Sequence, residues 1–276
     1  MIQKNVPVLW NHRLSSDCFR VGLECREAFS DARPGQFVSL FLSERYDPLL
    51  RRPFSIHRLV YENNRENDPK KGPVTGIELL YKVIGKCTER LSGLKPGDSV
   101  NLLGPLGNGF TVPEGKGRVL MIAGGIGIAP MVFLADALAA SMPAAPDISL
   151  LFGGRTKEDL VCLDAFASLG IPVQTATDDG SAGHKGLVTD LLEVENIGEV
   201  PALICSCGPL PMLKAVATIA GRKNIPCQVS VETLMACGIG VCLGCTAKRK
   251  GMDDKYLHAC IDGPVLDTVV VDLDSI

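Results

Sequence analysis

Four cysteines near the end of the chain, Cys237, Cys242, Cys245 and Cys260, are spaced C-x4-C-x2-C-x14-C. The first three lie in the run Cys237-Gly-Ile-Gly-Val-Cys-Leu-Gly-Cys245. Thiolates are the ligands of iron–sulfur clusters, and four of them from one loop and one nearby strand suit a small cluster. Gly238, Gly240 and Gly244 are expected to take backbone angles that other residues resist and to turn N–H groups toward sulfur. The other occupant that four thiolates suit is a structural zinc ion. The chain has 11 cysteines, and an odd number argues against a pure disulfide framework. Cys87, Cys205 and Cys227 read as small buried residues. This usage fits a reducing cytoplasm.

A one-electron centre needs a source and a sink of electrons, and two further stretches could bind nucleotides. Arg51-Arg52-Pro53-Phe54-Ser55-Ile56 opens a strand. Downstream, Leu80-Tyr81-Lys82 is followed by Gly85-Lys86-Cys87-Thr88 and an expected helix over 89–94. A helix start with a hydroxyl suits an anion, and the Arg52 fork suits a diphosphate. The second stretch, Ala123-Gly124-Gly125-Ile126-Gly127-Ile128-Ala129-Pro130, follows a strand and opens a helix, as a nucleotide loop must. Without a ligand it would be a tight turn kept bare for packing. Cys207-Gly208-Pro209 breaks a later strand at the same edge of the sheet, where open α/β sheets bind ligands.

These residues need a scaffold, and the pattern supplies one. Residues 1–112 hold six short β-rich runs separated by turn clusters, which suits a six-stranded antiparallel barrel; residues 62–71 form a charged loop. A boundary falls at 113–117. Over 113–232, apolar strands alternate with helices expected at 128–140, 157–169, 188–192 and 212–222, which predicts a five-stranded parallel sheet covered on both faces. Residues 233–276 form a small cluster-binding domain.

Composition excludes other classes. The 276 residues are 46% hydrophobic with a net charge of −3, so no basic field points to nucleic acid. Lys248-Arg249-Lys250 reads as a solvated turn. No apolar run reaches membrane-span length, and MIQKNVPVLW lacks a signal-peptide core. His57, His184 and His258 read as surface or packing residues, and no catalytic acid–base residue is assigned. Asp178-Asp179 could reach a ribose or cap a turn. Arg155 could meet a 2′-phosphate or stack on adenine.

Together the motifs resemble the ferredoxin–NADP reductase superfamily, in which a flavin-binding barrel precedes a nicotinamide-binding α/β domain. Arg52-Pro53-Phe54-Ser55 matches its R-x-F-S motif. The resemblance implies that Arg52 holds the FAD pyrophosphate, Phe54 packs on the flavin and Ser55 lies near the ring. Phe54 lacks the hydroxyl of the commoner tyrosine. Leu80, Tyr81, Lys82, Cys87 and Thr88 complete the implied FAD site, with Cys87 where glycine is usual. Gly124, Gly125, Gly127 and Pro130, with Cys207, Gly208 and Pro209, match the nicotinamide motifs.

The cysteine spacing narrows the resemblance to the electron-transfer subunits of NAD-linked, B-type dihydroorotate dehydrogenases, oxidoreductases of pyrimidine (UMP) biosynthesis. It implies FAD, a [2Fe-2S] cluster on Cys237, Cys242, Cys245 and Cys260, and NAD. The implied partner is an FMN-containing catalytic subunit that oxidises dihydroorotate, in a heterotetramer with two of each. A ferredoxin–NADP reductase or sulfide dehydrogenase subunit serving another partner shares the architecture; some of those relatives carry aspartate where Cys237 stands. A zinc-stabilised nucleotide-sensing module is the remaining alternative.

Overall fold

The computed structural model describes residues 1–26, 28–42, 47–62, 72–111, 117–141, 147–193 and 200–276. The expected boundary at 113–117 and loop at 62–71 fall almost wholly outside the described residues. Strand β1 (Ile2–Arg13) turns Val6 and Val8 inward. It is followed by β2 (Cys18–Glu24), β3 (Phe37–Phe41), β4 (Arg52–Tyr61) and β5 (Val74–Lys82), then helix α1 (Lys86–Ser92) and strand β6 (Ser99–Leu106). Among the described residues these six strands close an antiparallel barrel in the order β1-β2-β5-β4-β3-β6. Strand β6 completes it by pairing with both β1 and β3. Val6, Leu23, Ile56, Leu79 and Leu102 fill its interior.

The second half runs β7 (Val119–Gly124), a 3-10 turn (Gly125–Ile128), α2 (Ala129–Ser141), β8 (Ile148–Gly154) and α3 (Leu163–Ser168). It continues with β9 (Val173–Thr177), β10 (His184–Lys185), α4 (Val188–Glu193), β11 (Leu203–Cys207), α5 (Leu210–Arg222) and β12 (Cys227–Ser230). The five expected parallel strands are present, with β7 wholly buried, as a strand covered on both faces must be. Two corrections apply. The sheet has seven strands among the described residues, because β10 and an antiparallel strand from the C-terminal segment extend its edges. The helix expected over 157–169 is split, because Cys162 adopts a left-handed φ of 63° and α3 starts only after it.

The C-terminal segment holds β13 (Thr246–Arg249), β14 (Met252–His258), β15 (Val265–Asp267) and β16 (Val271–Asp272). Strands β14-β13-β16 form a small sheet, while β15 pairs with β12 on the large one. The cysteine loop is thereby fastened to the α/β sheet. Asn108 also ties it to the barrel, donating from its amide side chain to the carbonyl of Ile261 at 2.8 Å. One apolar cluster runs through all three parts, from Phe37 and Leu106 through Ile204 and Val229 to Cys245 and Cys260.

Candidate functional site

In the parallel sheet, β8 lies on one side of β7 and β11 on the other. The order therefore reverses at β7, and the crevice beyond the ends of β7 and β11 is where such sheets receive ligands. The glycines meet there. A Cβ on Gly127 would lie 2.2 Å from the Cys207 carbonyl oxygen, and one on Gly208 would lie 3.0 Å from the Gly124 nitrogen. Two backbone turns in direct contact leave no room for side chains between them.

A cleft of about 640 Å³ opens between this crevice and the barrel. Arg52, Pro53, Phe54 and Ser55 line it from the start of β4, and Leu80, Tyr81 and Lys82 from the end of β5. Gly85, Lys86, Cys87 and Thr88 come from the first turn of α1. The helix expected from 89 starts at Lys86, because the Thr88 hydroxyl accepts from the Ile84 and Gly85 amides and winds the chain three residues earlier. Gly127, Pro130 and Cys207 face them from the sheet, whereas Gly124, Gly125, Gly208 and Pro209 shape the turns behind without lining the cleft.

The two arginines divide their work. Arg51 donates to the Asn101 side chain and to the Ser39 carbonyl, so it braces the barrel. Arg52 is exposed and, among the described residues, bonds only to neighbouring carbonyls, those of Leu50 at 2.9 Å and Arg51 at 3.2 Å, which leaves its fork at the cleft. The Lys82 ammonium is turned to Asp159 (2.6 Å) and Asp17 (3.3 Å), bridging the barrel to the α/β domain. Burial pushes the Cys207 thiol up to about 12, which keeps it protonated, and the same cause raises Cys87 and Glu232. Asp179 caps a turn, accepting from the Ser181 amide and hydroxyl. Arg155 is exposed and lies 3.6 Å from Asp159.

Some lining residues were not foreseen in the sequence. Ser230, Val231, Glu232 and Thr233 line the cleft with Met235 and Pro264. The buried Thr233 hydroxyl has no hydrogen-bond partner among the described residues. The signal for Glu232 and Thr233 was present: they follow β12 at the same sheet edge that pointed to Gly127 and Cys207. Pro264 had none, because it arrives only when β15 joins the sheet.

The four candidate ligands lie beside this cleft. Cys245 and Cys260 bring their sulfurs to 3.3 Å. The Cys237 sulfur accepts from the Ile239 and Cys242 amides at 3.4 Å each, and the Cys260 sulfur from the Gly240 amide at 3.2 Å. Partial burial disfavours the Cys237 thiolate, but these amides outweigh it and draw the group down to about 6. Burial and the neighbouring Cys245 push Cys260 up. The thiols stand as two pairs; no group of three or more ligand side chains is already gathered among the described residues. Gly238 and Gly240 take the left-handed angles expected of them, whereas Leu243 does so in place of Gly244. Around the pairs, Leu234, Ile239, Val241, Leu243 and Ile261 are exposed.

A family profile described as the iron-sulfur cluster binding domain of dihydroorotate dehydrogenase B matches residues 232–272. Another, the oxidoreductase NAD-binding domain, matches residues 121–218. The dihydroorotate dehydrogenase B (NAD(+)), electron transfer subunit, of Caldanaerobacter subterraneus subsp. tengcongensis is 40% identical over 259 residues, 94% of each chain. This chain belongs to the family of dihydroorotate dehydrogenase B electron transfer subunits. The family member from Desulforamulus reducens is 40% identical over 85% of this chain and 84% of its own. A solved NADH-dependent reduced ferredoxin-NADP oxidoreductase aligns with a TM-score of 0.81 at 30% identity, over 98% of this family member and 90% of that chain. The ferredoxin NADP+ reductase of Neisseria gonorrhoeae, with bound FAD and NADP, shares the fold at a TM-score of 0.65 and 17% identity, over 80% of this chain and 91% of its own.

Proposed function

We propose that this chain relays electrons between NAD(H) and the catalytic subunit of a dihydroorotate dehydrogenase B, in pyrimidine biosynthesis. The observation that carries this reading is the adjacency of cleft and thiols. Phe37 lines the cleft, and its ring lies 3.9 Å from the place a Cβ would take on Gly238, the neighbour of Cys237. When bound, the cofactors supply the chemistry: nicotinamide gives or takes a hydride, FAD converts between electron pairs and single electrons, and a [2Fe-2S] cluster carries one at a time.

The residues fit these groups. Arg52 offers its fork to the FAD pyrophosphate, with the first turn of α1 beside it. Phe54 walls the cleft, and the unpartnered Thr233 hydroxyl suits a polar edge of a ring. Gly127, Pro130 and Cys207 bound the nicotinamide side, with Gly124, Gly125, Gly208 and Pro209 shaping it from behind. Cys237, Cys242, Cys245 and Cys260 hold the cluster, and the amides aimed at their sulfurs stabilise its negative charge. Phe37 excludes water between the two sites.

The exposed apolar rim around the cysteines docks the catalytic subunit, in a heterotetramer with two of each chain. That subunit holds FMN, and the complex works in the cytoplasm. Among the described residues no helix is long and apolar enough to cross a membrane. The test is the spectrum and traffic of the purified complex. FAD, iron and sulfide should co-purify, NADH should bleach the flavin, and dihydroorotate should reduce NAD+ only with both subunits present. The ferredoxin-NADP oxidoreductase likeness, with its TM-score of 0.81, supports a second reading, service to a different partner. Full activity on a soluble acceptor, with no response to dihydroorotate in the complex, would favour it.

A further inference from the structure

Strand β4 begins with the cleft residues Arg52 to Ser55 and continues directly into His57 and Arg58. Both of these side chains leave the barrel and bind α2. The His57 Nδ1 lies 2.8 Å from the carbonyl oxygen of Ala129, the first residue of that helix. Arg58 binds Asp136 through two nitrogens, Nε to Oδ2 at 2.6 Å and an Nη to Oδ1 at 3.2 Å. Asp136 is the one charged residue in α2, which otherwise reads APMVFLADALAAS. Ala129 and Asp136 are two helical turns apart and share a face, about 10 Å from end to end. Phe133, between them, packs into the barrel core.

We propose that His57 and Arg58 are positioning residues for hydride transfer, fixing α2 and the nicotinamide loop that opens it against the strand that carries the flavin motif. Apolar contacts alone let a helix slide and roll. Two directional contacts, two turns apart, fix both its height and its rotation. The loop Gly124–Gly127 leads straight into α2, so the same grip sets its distance from Phe54 and Ser55. A hydride needs its donor and acceptor carbons and nitrogens at about 3–3.5 Å, and a misplacement of about 1 Å can cost about a hundredfold in rate.

The chemistry of the contact is defined. A carbonyl only accepts, so His57 carries its proton on Nδ1. The Nε2 is then a bare acceptor, 3.9 Å from the Cys162 sulfur, whose thiol comes from the α/β domain. Residue 162 holds a left-handed φ of 63° to reach this place. His57 thus touches the α/β domain at two points. At 1% exposure it is sealed from water that would compete for either. On the barrel side, Glu78 Oε1 lies 3.8 Å from the same Nε2, and Arg20 faces the other Glu78 oxygen at 3.3 Å.

This inference rests on the flavin–nicotinamide reading of the cleft. The test uses the complete FAD-loaded complex and three variants. His57→Leu removes the donor; His57→Asn keeps an N–H near the Nδ1 position; Arg58→Lys keeps the charge but gives up the fork. His57→Leu should slow flavin reduction at saturating NADH about tenfold or more, raise the isotope effect with 4-deuterated NADH, and leave NADH affinity and FAD content near wild type. His57→Asn should recover most of the rate. Without NADH, the amides of residues 125–133 should exchange hydrogen faster in His57→Leu and return toward wild type in His57→Asn. Wild-type rate, isotope effect and exchange in His57→Leu would overturn the proposal. If His57→Leu fails to fold, Arg58→Lys decides by the same readouts, and wild-type values there overturn it. If NADH does not reduce the flavin of the wild-type complex, the reading of the cleft has failed instead, and the exchange data still report the grip on α2.

Discussion

The sulfurs of Cys245 and Cys260 stand 3.3 Å apart because a hairpin brings them together. Strands β13 and β14 separate them in sequence, and the Ala259 amide donates to the Cys245 carbonyl at 2.9 Å to close the hairpin's open end. Cys245→Ser puts a harder oxygen where a soft thiolate belongs. The variant should lose most of its iron, acid-labile sulfide and long-wavelength absorption, and pass no electrons to the catalytic subunit, while NADH still bleaches its flavin. An anaerobic NADH titration with iron analysis checks this. Loss of flavin bleaching as well would make the thiol centre a structural element.

Arg52 and Arg51 are neighbours with different tasks, and substitution should separate them. If Arg52 holds the pyrophosphate as proposed, Arg52→Ala removes a charged hydrogen-bond donor, an interaction of about 1.5–3 kcal/mol. FAD should bind roughly ten- to a hundredfold more weakly, with thermal stability of the FAD-free protein unchanged. Arg51→Ala should do the reverse, because its bonds to Asn101 and Ser39 lie within the barrel. Flavin fluorescence titration and calorimetry on the two variants distinguish these outcomes. Equal FAD affinity in Arg52→Ala and wild type would remove Arg52 from the site.

Much of this organisation was visible before the coordinates. The barrel half holds short β-rich runs between turn clusters with one short helix, whereas β7, β8 and β11 are buried, mostly apolar strands alternating with helices, and that change of pattern separates the two halves. The four cysteines carry their spacing openly. Tertiary pairing was not visible. Strand β10 has two residues and β15 three, too short for any period, and β15 exists only because β12 offers it an edge. The break at Cys162 likewise follows from a contact with His57 that is 105 residues away in sequence. His57 itself read as a surface or packing residue, and it is buried; its bond to Ala129 belongs to the assembled fold.

Val241 and Leu243 are 75% and 57% exposed beside the cysteine pairs. Large apolar side chains left in water at a functional centre mark an interface. Val241→Asp should weaken binding of the catalytic subunit by about 2 kcal/mol, the scale of an interface hot spot and roughly thirtyfold in Kd. Iron content and NADH-driven flavin bleaching should stay at wild-type levels. Sedimentation of the mixed subunits measures the first, absorption the others. Unchanged assembly would move the docking face away from the cysteine rim.

Gly127 has no space for a side chain, since a Cβ there would lie 2.2 Å from the Cys207 carbonyl oxygen. Gly127→Ala must push the loop away from the end of β11. Overpacking of this kind costs about 1–3 kcal/mol, and the displaced loop should raise the NADH Kd roughly five- to a hundredfold. FAD content should not change, because the flavin motif lies on the barrel. Binding of NADH to the purified variant, followed by flavin fluorescence, gives the answer; wild-type affinity would show that the contact between the two turns does not shape the nicotinamide site.

Burial holds His57 near 3, far below its ordinary 6.5, and the bond to the Ala129 carbonyl only partly opposes this. Below about pH 6.5 the unfolded chain takes up a proton that the folded chain refuses. The stability linked to His57 is therefore complete above that pH and is lost as pH falls toward 3, at about 1.4 kcal/mol per unit. Two carboxylates bear on the same curve. Glu78, raised by burial, acts in the opposite sense above its ordinary 4.5. Asp159 is lowered by the Lys82 hydrogen bond against its partial burial, so its contribution is lost only below about 3.8. The His57 contribution is isolated by difference. Between pH 7 and 5, wild type should lose about 2 kcal/mol more of its unfolding free energy than His57→Asn, which has no proton to take up. Urea unfolding of both proteins at the two pH values measures it, and parallel losses would mean that the imidazole takes up its proton in the fold as readily as in the unfolded chain.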